Sequence, residues 1–206
     1  NLNKRDATAN GLRELTLQSK KNTEYETGDH LVVYPRNAEH VVESYLRLFN
    51  IVHPNDKVTH PSFPSNISSA ELLSHCLDLS AVPSPKFAKL LMNSNDIQYK
   101  TDIAEPRRTT LDLALESSST NTLSVNDFLQ HQTRMQPRYY SIASSNLEDT
   151  IKLTYRPVRY LTSQGHLRLG VATSHLCNLT NDSTLACAIS SNPLFRLPSD
   201  PKAPIL

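Results

Sequence analysis

Apolar and polar residues alternate over part of Leu12–Gln18, and a compact apolar run follows at Leu31–Tyr34; both predict strands. The period then changes. Val41, Val42, Tyr45, Leu46 and Phe49 share one face of a helix that Asn37 is placed to cap. Ser68-Ser69-Ala70-Glu71 forms a capping box ahead of Leu72, Leu73 and Cys76. Ser84-Pro85 is an N-cap followed by a first-turn proline, and it leads into Phe87, Leu90 and Leu91. Two further short helices are predicted at Leu111–Leu115 and Val125–Leu129, the second capped by Ser124. From Arg138 onward strands return, at Ile151–Val158, His166–Leu169 and Thr184–Ile189, with a hairpin turn at Ser163-Gln164-Gly165-His166. Strands therefore flank a long helical stretch, whose Pro- and Ser-rich part, His60–Ser69, reads as a surface loop.

Composition narrows the classes. A chain of 206 residues with 38% hydrophobic residues can bury one good core, or a core plus a satellite subdomain. A net charge of +1 gives no electrostatic reason to bind nucleic acid or an acidic membrane surface. No apolar run approaches the roughly 20 residues that cross a bilayer, and no signal-peptide pattern opens the sequence. Cys76, Cys177 and Cys187 form no Cys-x-x-Cys pair and read as reduced thiols in a cytosolic setting. Asn66-Ile67-Ser68 and Asn178-Leu179-Thr180 match the glycosylation pattern, which without a secretory signal is read as accidental. The eight histidines show no metal-binding spacing, and Asp78, Asp112 and Glu116 read as solvated helix-surface acids. Glycine is scarce, with four in the chain, so each is expected to serve a backbone need: Gly28 and Gly165 in turns, Gly170 where a helix begins.

The candidate chemistry lies in Arg138-Tyr139-Tyr140-Ser141-Ile142-Ala143-Ser144-Ser145. On a strand Arg138 and Tyr140 face one way and Tyr139 and Ser141 the other. A guanidinium binds pyrophosphate bidentately, and a phenol ring offers a flat face to a heterocycle. The combination suits a ligand with a planar ring at one end and phosphates further along, such as flavin adenine dinucleotide. No Gly-x-Ser-x-Gly elbow surrounds Ser141, so it is not read as a hydrolase nucleophile.

This block resembles the Arg-x-Tyr-Ser flavin motif of the ferredoxin–NADP reductase superfamily, and its full spelling resembles the diflavin reductase branch, which includes NADPH–cytochrome P450 reductase and sulfite reductase flavoprotein. Three more segments match in order: Gly28-Asp29-His30-Leu31-Val32-Val33-Tyr34-Pro35, Gly170-Val171-Ala172-Thr173-Ser174, and Phe195-Arg196-Leu197-Pro198 with Pro204-Ile205-Leu206. The resemblance implies a mainly β fold with an α insertion: a six-stranded antiparallel flavin-binding β-barrel, with an inserted helical connecting subdomain. Residues 1–36 and 137–206 would form the barrel and residues 37–136 the insertion.

The resemblance also implies roles. Arg138 would bind the FAD pyrophosphate, Tyr140 would stack on the isoalloxazine ring, and Ser141 would place its hydroxyl near flavin N5 as the catalytic group. Tyr139 completes the motif. Thr154, Tyr155 and Arg156 would contact the polar edge of the flavin, and Tyr160 the phosphate or adenosine half. Gly170, Val171, Ala172 and Thr173 would offer main-chain amides and a hydroxyl to the pyrophosphate. Arg107, in preference to Arg108, would lie near the adenosine end. Two departures from the family stand out: Pro157 interrupts the strand at the flavin edge, and His175 replaces a residue that is often a large aromatic.

In the family the full-length protein also uses NADPH and FMN, and the module's partners are the FMN domain and NADP-binding domain of the same polypeptide and a downstream acceptor protein. Here no Gly-x-Gly-x-x-Gly follows and no flavodoxin-like module precedes Asn1, so the chain reads as the central portion of a longer reductase. It is expected to bind FAD, to be reduced by dithionite and hardly by NADPH, and to be cytoplasmic, the full-length protein lying free or on the cytosolic face of the endoplasmic reticulum. The alternative is a degenerate flavin-free barrel that serves as a protein-interaction module.

Overall fold

The computed structural model describes residues 3–7, 11–18, 23–64, 66–117, 123–196, 198, 200 and 202. Leu197 and Pro204-Ile205-Leu206 of the last matched segment therefore lie outside the described residues. The chain divides into two compact units, one made of residues 1–35, 137–158 and 172–206 and the other of residues 36–136 and 159–171.

Among the described residues the first unit is built on six antiparallel strands. β1 (Asn3–Ala7), β2 (Leu12–Gln18) and β5 (Thr150–Tyr155) form one sheet with β2 central. β4 (Arg138–Ser141), β3 (His30–Val33) and β8 (Cys187–Ser190) form the other with β3 central. A bridge between Ile142 and Leu153, with Ala143 N donating to Lys152 O at 2.8 Å, joins the end of β4 to β5. The fold is mixed α/β with antiparallel sheets. Among the described residues the pairing yields two three-stranded sheets linked at that bridge, where a closed six-stranded ring was expected.

Alternation decides which side chains enter this unit's core. Leu15 pairs with Leu153 across β2 and β5, and both are fully buried. Tyr25, Leu31, Val33, Ile151, Tyr155, Leu176 and Leu179 complete the cluster. The last two come from α6 (Val171–Asn178) and the residue after it, so the helix that starts behind Gly170 seals this core. β5 ends at Tyr155, short of the expected Val158, because Pro157 has no N–H to continue a ladder.

The second unit holds α1 (Glu39–Leu48), α2 (Ser69–Glu71), α3 (Pro85–Met92), α4 (Thr110–Glu116) and α5 (Val125–His131). Tyr45, Leu72, Leu77, Phe87, Leu113 and Phe128 are fully buried in its core. Capping boxes at Ser68/Glu71 and Thr109/Asp112 start α2 and α4, and Ser84 and Ser124 cap α3 and α5 through their hydroxyls. Asn37 does not cap α1, whose N-cap is Ala38. Its amide instead donates to Leu73 O and Leu77 O, both at 2.6 Å. Those carbonyls belong to the π-helical turn, Leu72–Cys76, that prolongs α2, and to the residue after it.

A short hairpin, β6 (Arg159–Leu161) and β7 (Leu167–Leu169), also belongs to this helical unit, although the sequence groups it with the later strands. Gly165 turns it with φ +80°, its N–H donating to Thr162 O at 2.9 Å. Among the described residues no helix is long and apolar enough to cross a membrane, and no cluster of His, Cys, Asp and Glu could hold a metal ion.

Candidate functional site

The expected site residues are divided between the two units. In the first, β4 pairs with β3 so that Arg138 lies opposite Val33, Tyr139 opposite Val32, Tyr140 opposite Leu31 and Ser141 opposite His30. Arg138 and Tyr140 are half-buried on the face that turns toward the core, and Tyr139 and Ser141 are exposed on the other. The Tyr140 ring meets Tyr155 edge-on, centroids 6.5 Å apart at 76°. Burial pushes the Tyr140 phenol above its ordinary pKa, while the Arg138 charge pulls it back, so it stays neutral at physiological pH. Tyr139 is 61% exposed and stands edge-to-face with His30 at 6.3 Å.

β5 delivers Thr154 exposed and Tyr155 buried, with Arg156 exposed just beyond the strand. The Tyr155 hydroxyl lies 3.8 Å from Cys177 Sγ, and burial raises its pKa. On α6 Ala172 and Thr173 are both buried. Thr173 Oγ1 accepts the Val158 N–H at 3.0 Å and so steadies the strand exit beyond Pro157.

The second half of the motif has a structural task. Tyr25 donates its hydroxyl hydrogen to Ser145 O at 2.7 Å and lies 2.8 Å from Ser144 Oγ. Ser144 Oγ also accepts the Lys152 N–H at 3.0 Å. These contacts fix the chain just after Ser141.

In the helical unit, Tyr160 and Arg168 are cross-strand partners in the hairpin. Arg107 has a left-handed backbone, φ +53°, and its guanidinium sits over the Tyr160 ring at 5.1 Å. Arg108 pairs with Glu116 and has a side chain only 11% exposed, so of the two arginines Arg107 is the accessible one. Gly170 and Val171 are both half-buried, at the start of α6. Asp112 is not a solvated surface acid: its Oδ2 accepts from Thr109 N at 2.7 Å and from Arg168 Nη2 at 2.5 Å. Glu116 likewise has a partner, in Arg108.

No family model matches the chain. Individual proteins do. It is 29% identical over 216 residues to NADPH oxidoreductase A of Dictyostelium discoideum, covering 88% of this chain and 33% of that protein. It is 30% identical over 214 residues to a bifunctional cytochrome P450/NADPH–P450 reductase of Acremonium egyptiacum, covering 93% and 20%. The NADPH–cytochrome P450 reductase of Drosophila melanogaster is 27% identical over 227 residues, covering 94% and 33%. These relatives are NADPH oxidoreductases and NADPH–P450 reductases by name. The chain spans a third or less of the length of these reductases, at 33%, 20% and 33%.

Beside the residues expected from the reductase resemblance stand others that sequence reasoning passed over. Asp29 is buried and gathers Glu26 N, Asn192 N and Arg196 Nη2. His30 lies directly opposite Ser141. Both belong to the matched Gly28-Asp29-His30 segment, but no local pattern in the sequence announces that Asp29 and Arg196 meet.

Proposed function

We propose that this chain is the FAD-binding module of an NADPH-dependent diflavin oxidoreductase. Bound FAD would accept a hydride from NADPH at N5 and pass electrons singly to FMN, and so to a haem or other acceptor in the full-length protein. The chain's residues bind and orient the cofactor. Arg138 pairs with the pyrophosphate, Tyr140 lays its ring on the isoalloxazine, and Ser141 donates its hydroxyl hydrogen toward N5. Gly170 to Thr173 receive phosphate oxygens at the start of α6. Thr154, Tyr155 and Arg156 line the polar edge, and Arg107 with Tyr160 takes the adenosine half. Partners under this reading are the FMN and NADP-binding domains of the same polypeptide and an acceptor protein, in the cytoplasm.

The observation that carries the reading is the placement of Arg138 and Tyr140 on one half-buried face of β4, inside an eight-residue block that matches the flavin motif. The donor set suits such a cofactor. Tyr140 is half-buried, and Arg107 pairs with no carboxylate among the described residues. The test is the visible spectrum of purified protein after FAD is added and the excess removed. Retained flavin bands that Arg138→Ala abolishes would support the module. A well-folded but colourless protein would instead favour a flavin-free interaction module.

A further inference from the structure

The β6–β7 hairpin is too small to stand alone. It has two strands of three residues each, and a two-stranded hairpin in water is marginal without packing against something else. Its outer face offers no apolar anchor, since Leu161, Leu167 and Leu169 are 69%, 60% and 52% exposed. The inner face carries Tyr160 and Arg168, which are register partners. Arg168 Nη2 reaches Asp112 Oδ2 at 2.5 Å, with both side chains largely out of water. The same carboxylate oxygen takes Thr109 N at 2.7 Å and Thr109 Oγ1 at 2.9 Å, so Asp112 at once starts α4 and holds the hairpin. Arg107, two residues before that cap, sits in its left-handed conformation over Tyr160.

We propose that the Arg168–Asp112 ion pair is the positioning device that sets Tyr160 against Arg107, and through them the preference of this chain for FAD over FMN. The inference rests on the FAD reading above and adds two residues to it. Neither touches the cofactor. Arg168 fixes the strand that carries the ring, and Asp112 fixes the turn that carries the guanidinium. FMN lacks the adenosine half and so has nothing to gain from this arrangement, whereas FAD does.

The experiment is a flavin-fluorescence titration of the full chain with FAD and, separately, with FMN. Variants are Arg168→Met, Arg168→Lys, Asp112→Asn and the Asp112→Asn/Arg168→Met pair. Positioning predicts that Arg168→Met and Asp112→Asn each weaken FAD by roughly tenfold and leave FMN within about twofold. It also predicts that the double variant is no worse than either single one, because coupled residues are non-additive. Arg168→Lys should recover most of the loss. Equal losses for FAD and FMN would mean a purely structural role and overturn the inference. So would a loss with Arg168→Met but not with Asp112→Asn, which would make Arg168 a direct phosphate ligand. Wild-type chain that binds no flavin would overturn the FAD reading itself, whereas wild-type binding with insensitive variants overturns only this inference.

Discussion

Asp29 and Arg196 meet at 2.7 Å, carboxylate to guanidinium, and tie the turn before β3 to the segment after β8. Arg196 also reaches Glu26 at 3.0 Å. The Glu26 N–H first, then the Asn192 N–H and Arg196, hold the Asp29 carboxyl down to a pKa of about 2. A carboxyl lowered on folding stabilises the native state above its unfolded pKa of roughly 3.9 and loses that contribution as pH falls toward the folded value. Unfolding followed by circular dichroism from pH 5 to pH 2 should therefore show a progressive acid-side loss in wild type. Asp29→Asn should be less stable at pH 5 and show a flatter acid limb.

Gly28 has φ +100°, and a Cβ built on it would lie 1.9 Å from the main-chain oxygen of Phe195. Strain and overlap act together there. Gly28→Ala is expected to destabilise the first unit by about 2 kcal/mol or more, measured as a shift in the denaturation midpoint. Gly165→Ala meets no atom within 4 Å and carries only the cost of its φ, so it should be the milder change.

Arg138→Ala should weaken FAD binding by roughly ten- to a hundredfold, the value of a charge-assisted contact of about 1.5–3 kcal/mol. Tyr140→Phe should hold FAD nearly as well as wild type, since stacking uses the ring and not the hydroxyl. Tyr140→Ala should not. Fluorescence titration of the three variants separates these outcomes.

Phe128 is fully buried between Tyr45 and Phe49, with centroids 5.3 and 4.8 Å away. Phe128→Ala is expected to cost about 3–5 kcal/mol in the helical unit, read by hydrogen exchange of α1 and α5 amides.

Local patterns carried much of the fold. β2, α3 and α5 were legible because alternation or an N-cap lies within each segment. β1 was not, since Asn3–Ala7 has no apolar alternation and is a strand by virtue of pairing with β2. Asn37 has the right chemistry for a cap, but its amide is taken by carbonyls of Leu73 and Leu77, contacts that no local window contains. Asp112 was misread for the same reason, because its partner Arg168 comes from the distant hairpin. At the candidate site, the alternation of Arg138 to Ser141 followed from strand geometry alone. The preference for Arg107 over Arg108 came from the family resemblance, whereas the pairing of Arg108 with Glu116 is something only the folded chain displays.

The central strand β3 at His30–Val33 takes both its neighbours from far downstream, β4 at Arg138–Ser141 and β8 at Cys187–Ser190. During synthesis on the ribosome, β3 must therefore wait with both edges unpaired while the helical unit's first helices, whose caps and contacts are local, emerge. Loop closure over such separations is slow. The sheet bearing Arg138–Ser141 is thus completed only when β8 has been made. A chain arrested before β8 would present an open apolar edge at Leu31 and Val33, which is a target for chaperones and a seed for aggregation.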